Sequence, residues 1–190
     1  MKAWQWIAIG TGSVVLISLI NRHRVMSNLK NNKLSENFNL SEFVSTATGL
    51  ENIPGPVEVE NLRALCQEVL QPLRNAVVKK YSGKKVSIVV SSGYRSPLVN
   101  QAVGGADTSQ HLYGEASDIN VYVNGVRLSN QEVIDEIRSL GLPYDQVIDE
   151  QLKGKQWVHV SHSKSKLRKQ WLTARDGTGG KTVYATVQYG

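Results

Sequence analysis

The chain has a single cysteine, Cys66, so no intrachain disulfide can form and the redox compartment cannot be read from thiol usage. Aromatic residues are sparse, at 7%. No zinc-finger spacing and no strand of interleaved aromatic and basic residues is present, which excludes the familiar nucleic-acid readers as a class. There is no internal repeat. Histidine is scarce as well: His23, His111, His159 and His162 are all there are. Any histidine-based metal site must draw on those four.

What is present is an ordinary apolar content of 41%, which rules against general disorder, and a net charge of +6 with a pI near 9.4. A basic surface suits an acidic polymer, an anionic membrane or a bacterial cell wall, and does not choose among them. Residues 3–20 carry no charge. As a helix they would reach about 27 Å at about 1.5 Å per residue, close to a hydrocarbon core of about 30 Å. Trp4 and Trp6 would sit at the interface. The run ends in Asn21-Arg22-His23-Arg24 without a small-x-small cleavage site, so a membrane anchor is preferred to a signal peptide. More positive charge follows the run than precedes it, which by the positive-inside rule keeps the domain cytoplasmic. A domain working outside the membrane needs the reverse. The expected organisation is a membrane segment at 1–21, a polar linker at 22–37, a folded domain at 38–175 and a glycine-rich extension at 176–190.

Within the domain, Asn39 and Glu42 are spaced to cap a short helix. Apolar residues recur at helical steps over 57–80, with Pro72 expected to kink or split that helix. Cys66 lies on its apolar face and is expected to be a buried structural thiol. Residues 85–90 read as a strand. Ser96-Pro97 opens a short helix that ends at Gly104-Gly105. Residues 118–122 read as a second strand, with Asn124-Gly125 as a hairpin turn. Ser129 and Glu132 form a capping box before a helix whose buried face holds Val133, Ile134, Ile137 and Leu140. Residues 145–150 and 156–162 read as a third and fourth strand. The tail KTVYATV is read as a hairpin strand or an extension. The fold class is therefore α+β: a small, mostly antiparallel sheet flanked by helices, preceded by the membrane helix.

Residues 92–118, SGYRSPLVNQAVGGADTSQHLYGEASD, concentrate polar groups and glycines with little apolar periodicity, as a site does and a core does not. QWVHVSH at 156–162 supplies a second histidine. Strand alternation lets only one histidine of that pair face the first segment. His159, flanked by valines, is chosen over His162, which opens into the charged run SKSKLRK. His111, Asp118 and His159 are thus a candidate zinc set.

Ser109-x-His111-x-x-Gly114-x-Ala116-x-Asp118 resembles the SxHxxGxAxD signature of peptidase family M15, the zinc D-Ala-D-Ala carboxypeptidases and peptidoglycan endopeptidases. GYRSP before it and WVHVS after it resemble that family too, particularly its compact carboxypeptidase-like branch. The resemblance implies the antiparallel sheet with flanking helices shared with the hedgehog domain. It implies Zn2+ held by His111, Asp118 and His159. It also implies an Arg95 that steadies substrate carboxylate or developing oxyanion, and a Ser109 that contacts substrate. A structural salt bridge is the alternative for Arg95. Several members carry an acid three residues before the last histidine, where this chain has Gln156. Glu150 is the candidate general base instead, with Asp149 as its alternative on the opposite face of the strand.

The expected function is a zinc metallopeptidase cutting a peptide bond of peptidoglycan stem peptides, in a bacterial envelope or a phage. The competing readings are a peptidoglycan-binding module that does not cut and a structural membrane protein of a virion. The expected partners are peptidoglycan peptide and, through residues 3–20, a lipid bilayer, with no nucleic acid.

Overall fold

The computed structural model describes residues 32–187. The expected membrane segment lies outside them. Among the described residues no helix is long and apolar enough to cross a membrane. The described part of the expected linker is docked. Leu34 is fully buried in the core, Lys33 bridges Asn39, and Arg63 Nη1 donates to the Lys33 carbonyl at 2.6 Å. One apolar side chain among polar neighbours is enough to fold this stretch onto the domain, so the packed unit includes residues ahead of 38.

α1 (Leu40–Phe43) starts at Asn39, whose N–H donates to Glu42 Oε1 at 2.7 Å. The long helix runs from α2 (Pro56–Leu65) through a π turn (Cys66–Leu70) into α3 (Gln71–Lys80). Pro72 therefore does not break the helix. A proline ring collides with the carbonyl four residues back and donates no hydrogen bond, and a wider turn immediately before it relieves both problems. Cys66 is buried there, and burial pushes its thiol well above the ordinary range.

The sheet runs β1-β2-β5-β4-β6-β7, with β3 also on β2. Its strands are β1 (Val86–Ser92), β2 (Ala116–Val123), β3 (Val126–Arg127), β4 (Gln146–Leu152), β5 (Lys155–Ser161), β6 (Gln170–Asp176) and β7 (Thr182–Thr186). All neighbours are antiparallel except β4 and β6. β6 was not expected from the sequence, because its QWLTARD lacks clean alternation and follows a charged run. It pairs with β7, so the expected boundary at 175/176 falls inside a hairpin. Between β1 and β2 lies α4 (Pro97–Ala102), followed by a 3-10 turn (Gln110–Tyr113). α5 (Asn130–Ser139) begins at Ser129, whose Oγ accepts from Glu132 N–H at 3.2 Å. Val133, Ile134 and Ile137 are buried as expected, but Leu140 lies past the last turn and is exposed.

The sheet has two unlike faces. Ile119, Val121, Val147, Val158 and Val160 join the helices in one apolar core. Residues paired across strands share a face. Asp118 pairs with His159, and His159 with Ile148, two residues from Glu150. The other face therefore carries the polar residues singled out in the sequence.

Candidate metal centre

The first segment is shaped by close approaches. The β1–β2 register shifts between Val90 and Ser92, and the chain leaves the sheet at Gly93. A Cβ there would lie 2.5 Å from the Phe43 carbonyl oxygen, so only glycine fits. The Gly93 carbonyl can only accept, so His111 Nδ1, 2.6 Å away, must be its donor. That fixes the tautomer and leaves the Nε2 lone pair pointing inward. The Arg95 N–H donates to the His111 carbonyl at 3.0 Å. Gly114 closes the 3-10 turn with φ +67, where a Cβ would meet the Glu58 carbonyl oxygen at 2.4 Å. Asn52, which no sequence signal picked out, clamps the loop: it donates to the Tyr94 carbonyl at 2.8 Å and accepts from Ser96 N–H at 2.7 Å.

Three donor atoms converge. His159 Nδ1 lies 3.0 Å from Asp118 Oδ1 and 3.2 Å from His111 Nε2, and the latter is 3.3 Å from Asp118 Oδ1. All three residues are buried, and among the described residues they are the one group of this kind able to hold a metal ion. A tetrahedral zinc with bonds of about 2.0–2.1 Å sets its ligands about 3.3 Å apart. The observed spacings match that ion, and two imidazoles with one carboxylate suit its chemistry. Burial raises the Asp118 pKa, but His111 and His159 outweigh it and hold the carboxyl far below its usual range.

Arg95 Nη2 donates to Asp118 Oδ2 at 2.7 Å, and its Nε donates to Ser92 Oγ at 2.8 Å. The salt bridge weighed for Arg95 thus exists, and it is made to the non-converging oxygen of a candidate ligand, where it orients that ligand. Ser109 precedes the 3-10 turn that carries His111 and is half-buried. Its carbonyl accepts from Leu112 N–H at 3.1 Å, and among the described residues its hydroxyl makes no hydrogen bond.

Glu150 is 8% exposed and lies on the face of the donor atoms. Burial pushes its carboxyl up to about 7, with Asp118 adding to the rise and His159 and Arg95 opposing it. Asp149 faces the other way: its Oδ1 accepts from Asn130 Nδ2 at 2.5 Å and its Oδ2 pairs with Arg175. Gln156 is three residues from His159 on β5 and so lies on the opposite face from it. In this chain an acid at 156 would not point at the donor atoms. His162 leaves the site too, with Nε2 3.2 Å from Glu68 Oε2 on the π turn. A network the sequence did not announce supports the loop from behind. Gln110 Nε2 donates to the buried Asp145 at 2.9 Å, and Asp145 is paired with Arg168.

The family model of peptidase M15 matches residues 36–161, well over half of the chain. The match runs through the GYRS loop, the His111–Asp118 turn and β5, and stops before the β6–β7 hairpin. The protein belongs to the peptidase M15 family. Membership supports a hydrolase with a zinc-type centre, in line with the donor set. No curated protein matches the chain.

Proposed function

We propose that the protein is a zinc metallopeptidase that hydrolyses a peptide bond in the stem peptides of peptidoglycan. The observation that carries this reading is the convergence of His111 Nε2, Asp118 Oδ1 and His159 Nδ1, with Glu150 on the same face. When bound, zinc supplies a Lewis acid that polarises a carbonyl and makes water acidic enough to ionise near neutral pH. The protein supplies the rest. Glu150 takes a proton from the attacking water on a carboxylate oxygen and returns it to the nitrogen of the leaving amine. The carboxylate form accepts the first proton and the acid form so made donates the second, so one side chain serves both transfers. Arg95 holds Asp118 in place with Nη2 and presents a fixed positive charge beside the carbonyl oxygen as that oxygen becomes anionic. Ser109 contacts substrate through a hydroxyl that is uncommitted within the described fold.

The test is metal content of the full chain, paired with release of amino groups from purified peptidoglycan with and without a chelator. About one zinc per chain and chelator-sensitive release support the reading. Zinc with sedimentation on peptidoglycan but no release would replace it with a binding module. The proposal extends to residues 3–20 as a bilayer anchor with the domain facing the wall. Protease accessibility of the domain in intact cells and spheroplasts tests that orientation.

A further inference from the structure

The β6–β7 hairpin lies outside residues 36–161 and adds two strands to the sheet on the Glu150 side. Across the strands, Glu150 pairs with Ala174 and Ala174 with Tyr184. The three residues form one row on the face that carries the metal donors. Two strand spacings of about 4.8 Å set the Glu150 and Tyr184 backbones about 10 Å apart, a gap that a glutamate and a tyrosine side chain can close between them. The residue in the middle of the row is an alanine, the smallest side chain with a Cβ, and it is completely buried. Tyr184 itself stays 57% exposed, open to anything that enters from solvent.

We infer that Tyr184 forms the outer wall of the substrate cleft and donates a hydrogen bond to an oxygen of the residue on the amine side of the scissile bond. This rests on the peptidase reading above. The direction follows from the order of groups on the sheet. The metal donors sit on β2 and β5, Glu150 follows on β4, and Tyr184 lies beyond it on β7. Glu150 protonates the leaving amine, so the residue attached to that amine extends past Glu150 toward Tyr184. A phenol O–H is protonated at neutral pH and can donate, and Tyr184 is open to solvent on the side from which substrate enters. Tyr184 is a specificity residue contributed by a part of the chain that lies beyond the family match.

The experiment compares the zinc-loaded full chain with its Tyr184→Phe and Tyr184→Ala variants on a soluble disaccharide pentapeptide from peptidoglycan. Val183→Ala, on the opposite face of β7, is the control. Losing one neutral hydrogen bond should raise KM about three- to tenfold in Tyr184→Phe and more in Tyr184→Ala. The expected kcat stays within about twofold, and zinc content, Tm and the acid limb of the pH profile do not move. Unchanged KM in both variants would overturn the inference. So would a fall in Tm accompanied by equal losses in kcat and zinc, because that pattern marks a structural role. If the wild type does not cleave, the peptidase reading fails separately, and calorimetric binding of the same muropeptide decides. A matching loss of affinity in Tyr184→Phe keeps Tyr184 as a ligand contact. Equal affinities, or no binding by the wild type, reject it.

Discussion

The two faces of the sheet meet in adjacent residues of β4. Asp149 looks toward the helices and Glu150 toward the metal donors. Both are acids at least half hidden from water, and burial raises the pKa of each. Asp149 is compensated by Asn130 and Arg175, which together hold it below the usual carboxylate range. Glu150 has no such partner and is left near 7. The difference teaches that on the core face a buried acid is compensated by hydrogen-bond and ion-pair partners, whereas on the open face it is left without them. The two environments are separated by one residue of strand alternation.

The sharpest way to break the contrast is to remove a donor atom. His111→Ala and His159→Ala are each expected to abolish hydrolysis and to lose the metal, as metal analysis after dialysis would show. Retained stoichiometric zinc in both variants would contradict the assignment. The next effect separates the neighbours directly. Glu150→Gln should lower kcat by about 10²–10⁴-fold with zinc retained, while Asp149→Asn leaves kcat within a few-fold. Single-turnover kinetics on both would expose any reversal of roles. Arg95→Lys keeps the charge but loses the forked contact to Asp118 and Ser92. Its zinc affinity should fall about 10- to 100-fold, measured by competition with a chromophoric chelator.

The smallest effects concern stability of the metal-free protein against pH. Glu150 has a raised folded pKa, so its protonated form is favoured in the fold. The stability it allows is present below the unfolded value near 4.5 and is lost as pH rises through about 7. Glu150→Gln is therefore expected to stabilise the metal-free chain at pH 8, by up to about 3 kcal/mol, and to change little at pH 4. Asp149 has a depressed pKa, so its contribution is present above the ordinary carboxylate value and fades as pH falls through the lowered one. Asp149→Asn should destabilise at pH 8, by about 1 kcal/mol because Arg175 is partly exposed, and much less in strong acid. At pH 8 the denaturant midpoints of the two variants should thus move in opposite directions. Parallel movement would show that the faces do not differ as described.

Much of the site was legible because its residues are local or periodic. His111 and Asp118 sit in one short motif, and alternation along QWVHVSH separated His159 from His162 without any structure. The α+β class followed from helical steps in one half and β-branched runs in the other. Less visible were groups whose role comes from distant partners. Asn52 is an unremarkable loop residue until Tyr94 and Ser96 fold against it. The β6 strand has no alternating pattern because its face is set by β4, and Leu34 looked like linker because one buried side chain leaves no period to read.

The sequence by itself determined the set of chemical groups, their order and the parity of each strand, since rotamer-scale direction along a strand is a local property of L-residues. Only the tertiary structure decided which of those groups meet. Three donor atoms within 3.0–3.3 Å, an arginine on the free oxygen of Asp118, and a glutamate stripped of water without an ion-pair partner of its own all depend on strands far apart in the chain lying side by side. Contact distance and desolvation are properties of that packing, and no pattern of neighbouring letters encodes them.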